Sequence, residues 1–130
     1  MAARKERNGG EAVIHALTHW LRREVLRRIQ EPGVAVSPTM LENALGVPLS
    51  NCNYHLLSLE EDGLAEEVHS IPIRGVEEHF YVSKGTDNVV VTAILTQTAE
   101  EDAAAVKAYQ DKHAAKIAAK EQDKAEQISA

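Results

Sequence analysis

The stretch GVPLSNCNYHLLSLEEDGL, residues 46–64, decides how this chain folds. Gly46 stands where a left-handed helix end favours a residue without a Cβ, and Pro48 opens a new helix two positions later. Cys52, Leu56 and Leu59 recur at intervals of four and three, the spacing of one helical face, and Asp62-Gly63 closes the run. With those three residues inward, Ser50, Asn51, Asn53 and Tyr54 project outward. The predicted helix, over about 48–61, shows leucines to a core and hydrogen-bonding groups to its surroundings. It contains no lysine and no arginine.

Working back, Ser37-Pro38 is an N-cap followed by proline at the first helical position, and Met40, Leu41, Ala44 and Leu45 supply the apolar positions of a short helix. Two short helices joined across Gly46-Val47 make a helix-turn-helix. Earlier still, Ile14, Leu17, Leu21, Val25 and Ile29 recur at three to four, which predicts one helix from Glu11 to Gln30, stopped by Pro32-Gly33. The opening MAARKERNGG is polar and aperiodic, so residues 1–10 read as a flexible basic arm.

Past Leu64 the period changes. LAEEVHSI and VEEHFYV are strand-like runs joined by Pro72-Ile73-Arg74-Gly75, a β-hairpin. Three helices and a hairpin in that order make a winged helix over 11–84. Residues 85–130 read as a helical extension. DNVVVTAIL has the β-branching of a strand, but Val91, Ile94, Leu95 and Thr98 fit one helical face, and helix is the reading taken. Thr98-Ala-Glu-Glu101 matches a capping box ahead of an alanine-rich helix with a thin stripe of Val106, Tyr109, His113, Ile117 and Ile128. The expected fold is mainly α with a small β-hairpin: a winged helix-turn-helix with an added C-terminal helix.

At 130 residues the chain suits one modest core, built from aliphatic residues because aromatics are few. Nothing approaches the ~18 consecutive apolar residues of a membrane span, and the N-terminus has no apolar signal core, so a cytoplasmic protein is expected. The single cysteine, Cys52, excludes an internal disulfide and suits a reducing compartment. Net charge is −6, which argues against a protein that coats nucleic acid but not against one that docks a small face on it. Residues 1–84 carry nine Lys/Arg against twelve Asp/Glu, with no basic residue between Gln30 and Ile73.

Three segments together resemble the arsenic-repressor-like (ArsR-like) winged helix-turn-helix regulators of prokaryotes. ALTHWLRREVLRRI, residues 16–29, resembles that family's opening helix; LENALGVPLSNCNYHLLSLEEDGL, residues 41–64, its helix-turn-helix; and RGVEEHFYV, residues 74–82, its wing. The resemblance implies a homodimer that sets its third helix in successive major grooves, with the wing arginine near a minor groove or phosphate. Departures are Trp20, where the family usually has proline, and Leu57 and Glu60, at or near positions where it often has basic residues. Fewer phosphate contacts mean weaker binding with a flatter salt dependence.

Asparagine pairs bidentately with adenine, and serine reaches base edges or phosphates, so Ser50, Asn51, Asn53 and Tyr54 are candidate DNA contacts. His55 is a candidate phosphate contact when protonated, and Arg74, at the hairpin tip, a wing contact. Arg22, Arg23, Arg27 and Arg28 span nearly two turns and point several ways; ion pairs with Glu24, Glu31 or the acidic end of the third helix are expected of them. No metal site is expected: Asp111 and His113 supply half of an interhelical ligand pattern whose other half falls on Lys124 and Gln127, and His15 with His19 lacks a third ligand. No phosphate loop, nucleophile elbow or histidine-carboxylate signature suggests catalysis, and Glu77 and Glu78 face opposite ways on one strand. No cofactor is expected.

These readings converge on a sequence-specific DNA-binding transcriptional regulator. It acts as a homodimer, joined through helix one and the C-terminal helix, on an inverted-repeat operator in double-stranded DNA. The alternative is a winged helix serving as a protein-protein interaction module. Leu49 and Leu57 discriminate, because an exposed leucine pair makes a patch suited to a protein partner.

Overall fold

The computed structural model describes residues 9–84 and 88–129, with side chains described for 10–84 and 88–114. Eight elements follow one another: α1 Gly9–Ala16, α2 Trp20–Ile29, α3 Pro38–Leu45, α4 Leu49–Glu61, β1 Ala65–Ile73, β2 Val76–Ser83, α5 Val89–Gln97 and α6 Ala99–Ser129. The architecture is a winged helix-turn-helix, mainly α, with a C-terminal helix.

The single opening helix predicted over 11–30 is two helices. His19 is extended (φ −127°, ψ 135°) and its Nδ1 accepts from the Leu21 amide at 3.0 Å, so it caps α2. Thr18 Oγ1 donates to the His15 carbonyl at 2.9 Å. Both side chains give the backbone local partners that compete with a continuous helical ladder. The break turns Leu17 into the core and leaves Ile14, expected inward, 68% exposed. Gly9 and Gly10 belong to α1 rather than to an arm; residues 1–8 of that arm lie outside the described residues.

The helix-turn-helix forms as its caps dictate. Ser37 Oγ accepts from the Met40 amide at 3.2 Å, Pro38 opens α3, and Gly46 closes it in the left-handed conformation at φ 70°. Of the four apolar positions assigned to α3, only Leu41 and Leu45 turn inward; Met40 and Ala44 are exposed. On α4, Cys52, Leu56 and Leu59 are fully buried against Leu26 and Ile29 of α2. Each buried leucine contributes about 1.5–3 kcal/mol, against at most about 1 kcal/mol for an exposed ion pair, so this apolar layer sets the interhelical angle.

β1 and β2 pair antiparallel from Ala65 opposite Ser83 to Ile73 opposite Val76, with a bulge between Glu67 and His69. The turn is tighter than the four residues predicted: Arg74 (φ 51°) and Gly75 (φ 83°) alone make it, while Pro72 and Ile73 belong to β1. Two positive φ values in a two-residue loop give the turn type that matches strand twist. The other edge of β2 is bridged to Val36, whose amide and carbonyl both bond Tyr81, at 2.9 and 2.8 Å. Ser37 Oγ also donates to Glu78 Oε1 at 2.6 Å, so α3's cap braces β2 two residues from its turn end, where Glu78 faces Ile71.

DNVVVTAIL is helical. Asn88 Oδ1 accepts from the amides of Val90 and Val91, which fixes the start of α5 and points Val91 and Leu95 inward. The expected capping box before α6 does not use its threonine as a cap: Thr98 Oγ1 donates to the Ile94 carbonyl and accepts from Arg27 Nη2. Val106, Tyr109 and His113 are half-buried along α6, whereas the side chains of Ile117 and Ile128 lie outside the described residues.

Candidate nucleic-acid interface

The outer side of α4 presents Ser50, Asn51, Asn53 and Tyr54, all exposed, with Tyr54 at 63%. His55 does not join them. It is 8% exposed, its Nδ1 accepts from Arg22 Nε at 3.3 Å, and its ring stacks on His19 with centroids 5.7 Å apart. Burial first, then the positive charge of Arg22 and the proximity of His19, push its pKa down to about 4. A neutral, enclosed imidazole does not meet a phosphate as a cation, so His55 leaves the set of outward DNA contacts. Its spacing carries the reason: Cys52, His55, Leu56 and Leu59 follow three, four and seven, so His55 lies on the flank of the buried face.

Arg22 organises the underside of α4. Its Nη1 donates to the His15 carbonyl at 3.1 Å and lies 3.3 Å from His15 Nε2, while its guanidinium sits 5.9 Å from the Tyr54 ring centroid. His15 Nδ1 in turn pairs with Asp62 Oδ2 at 2.5 Å. One connected set of polar contacts therefore ties α1 and α2 to the middle and the C-terminal end of α4.

Arg23 and Arg27 face the other way and clasp Asp102 of α6. Arg23 donates through Nε at 2.8 Å and Nη2 at 2.6 Å, and Arg27 through Nη1 at 2.8 Å. Arg27 also bonds Glu24, Thr98 and the Leu95 carbonyl. Burial of Asp102 would raise its pKa, but the bonds from Arg23 and Arg27 outweigh it and hold the carboxyl below its ordinary value. Of the partners expected for these arginines, Glu24 is used; Asp102, remote in sequence, is the main one. Arg28 alone of the four is exposed. Trp20, where the resembling family usually has proline, rests half-buried against Tyr109 of α6, ring centroids 5.9 Å apart.

The surroundings of the outer face of α4 are dominated by negative charge. Glu42 Oε2 accepts from the Leu49 amide at 2.9 Å, so a carboxylate occupies the positive end of α4 where an anion would otherwise be drawn. From Ser37 to Ser83 eight carboxylates stand against one guanidinium, that of Arg74, exposed at the wing tip. Between the start of α4 and the wing lies a groove of about 600 Å³ lined by residues that include Leu49, Ser50, Asn53, Ile73, Val76 and Glu77. Leu49 and Leu57 are 44% and 42% exposed. Among the described residues no three His, Cys, Asp or Glu side chains come together as a metal site. His113 lies against the Tyr109 ring, and the side chains of Lys124 and Gln127 lie outside the described residues.

Residues 17–68 match a family model described as a helix-turn-helix domain. No curated protein matches the chain significantly. The match spans α2 to α4 and enters β1, and with the hairpin it supports DNA binding and transcription regulation as the class of function. No helix among the described residues is long and apolar enough to cross a membrane.

Proposed function

We propose that the chain is a sequence-specific DNA-binding transcriptional regulator of the arsenic-repressor-like kind, acting in the cytoplasm as a homodimer on an inverted-repeat operator. The observation that carries this reading is the exposed row Ser50, Asn51, Asn53 and Tyr54 on the second helix of a helix-turn-helix. Side chains of these types read base edges in a major groove ~12 Å wide, which admits one helix. Arg74 supplies a wing contact. Ile14 of α1, at 68% exposure, and Val89 of α5, at 79%, leave apolar surface for a second copy to cover. A two-fold dimer sets half-sites about one DNA turn, ~34 Å, apart.

The test is selection of bound fragments from a random duplex pool, at low and at physiological salt, followed by sequencing. An inverted repeat that survives the higher salt is the expected result. A second reading, a protein-interaction module, is favoured by the exposure of Leu49 and Leu57 beside an excess of carboxylates. Recovery of no sequence at either salt would select it.

A further inference from the structure

We propose that the groove between the start of α4 and the wing is a docking site for a basic segment of a partner protein that inserts apolar side chains. The proposal deepens the interaction reading and rests on it for its apolar anchor points, while adding the site, the chemistry of the partner and a competition with DNA.

The groove floor is apolar. Leu49, Ile73 and Val76 line it and are 44%, 46% and 70% exposed, so apolar side chains laid there remove three already solvated surfaces from water. Leu57, eight residues beyond Leu49 on the same helix, is also exposed but does not line the groove. The volume, about 600 Å³, falls within the ~300–1,000 Å³ of pockets that enclose a compact ligand.

The surroundings choose the charge of the occupant. Glu77 and Glu78 line the groove, Glu42 stands at the start of α4, and the whole segment from Ser37 to Ser83 offers Arg74 as its only Lys or Arg. A phosphate backbone entering here meets carboxylates and aliphatic carbon, whereas lysine or arginine flanks meet complementary charge within a screening length of ~8 Å. Ser50 and Asn53 also line the groove. A bound segment therefore covers two of the residues proposed to read DNA, and the two ligands exclude one another.

The experiment displays a random library of short peptides to the full chain at physiological salt and measures the enriched peptides by fluorescence anisotropy. Peptides with Lys or Arg around Leu, Ile or Phe are expected to emerge. Their affinity should fall at least ~tenfold with Val76→Asp and with Glu77→Lys, and stay unchanged with Glu31→Lys, an exposed control outside the groove. All three sites are exposed, and a thermal melt of each variant checks that it folds. The same peptides should displace any duplex recovered from the random pool. Enriched peptides that lack basic flanks, or that ignore both groove variants, overturn this site while leaving an interaction role standing. An absence of enriched peptides overturns both. Loss of dimers with Val76→Asp would instead assign the groove to a second copy, and loss of duplex binding with Val76→Asp alone would assign it to DNA.

Discussion

Arg27 and Asp102, 75 residues apart in the chain, meet at 2.8 Å with Nη1 donating to Oδ2, and Arg23 closes on the same carboxylate. Asp102 is fully buried, so the C-terminal helix is docked on α2 by a carboxylate held between two guanidinium groups. Asp102→Ala removes the anion and leaves both cations in a partly desolvated site. It should lower the unfolding free energy by about 3–5 kcal/mol. Urea unfolding measures the loss, and the single tryptophan, Trp20, reports α6 directly because it packs on Tyr109: its emission should shift to the red.

Stability should depend on pH through His55. Its folded pKa of about 4 lies below the ordinary 6.5, so the unfolded chain binds the proton more readily. The neutral form's contribution is complete above 6.5 and is lost as pH falls toward about 4, by at most about 3 kcal/mol at 1.36 kcal/mol per unit. His19, also shifted down by burial first and then by Arg22 and Arg23, adds in the same direction. Urea titrations across that interval should show the decline, and His55→Gln should flatten it.

Asn53 and Arg74 should separate by what they do to specificity. Asn53→Ala should relax sequence preference by ~1–3 kcal/mol at one position of the operator. Arg74→Ala should weaken binding to all duplexes alike and reduce the salt slope by about one. Competition binding with cognate and scrambled duplexes distinguishes the two; equal, sequence-blind losses would remove Asn53 from the reading set.

The carboxylate of Glu42 at the start of α4 should oppose DNA. Glu42→Gln keeps an oxygen for the Leu49 amide and removes the charge, so affinity for duplex at low salt should rise roughly two- to fivefold. Anisotropy with a labelled duplex measures it, and the gain should shrink as salt is added.

In the wing turn, Gly75 has open space around it and a φ of 83°, so Gly75→Ala meets no steric neighbour and should cost only backbone strain, ~1–2 kcal/mol. Arg74 carries φ 51° with a full side chain. Arg74→Gly should therefore leave thermal stability unharmed while lowering DNA affinity, a divergence that melting curves and binding curves reveal together.

The helix-turn-helix was legible because its signals are local. Ser37, Pro38, Gly46 and the spacing of Cys52, Leu56 and Leu59 each act within a few residues, and the structure places them as read. What escaped was set by side chains acting against a pattern or across distance. The helical period of Ile14 to Ile29 runs on unbroken in sequence, yet the imidazole of His19 caps a new helix in the middle of it. Nothing near Arg27 announces Asp102, since the pairing exists only once α6 has returned to α2. Within the candidate site, Ser50, Asn51, Asn53 and Tyr54 are found exposed and His55 is not. The signal that would have separated His55 was its place three residues after Cys52, beside the buried stripe.

The wing is long for so small a chain: β1 spans nine residues, which puts Arg74 roughly 25 Å from the hairpin's base. A hairpin of that length converts angle into displacement, so a swing of about ten degrees at its root carries the guanidinium ~4 Å sideways, farther than the reach of a hydrogen bond. The aim of the tip is thus decided by the paired bonds of Val36 with Tyr81 toward the root and by Ser37 holding Glu78 two residues from the turn end of β2. Ser37 is also the cap of α3. A single hydroxyl therefore couples the pointing of the wing to the placement of the helix-turn-helix, and in the proposed complex the spacing between the two contacts on a duplex would be measured out from that residue.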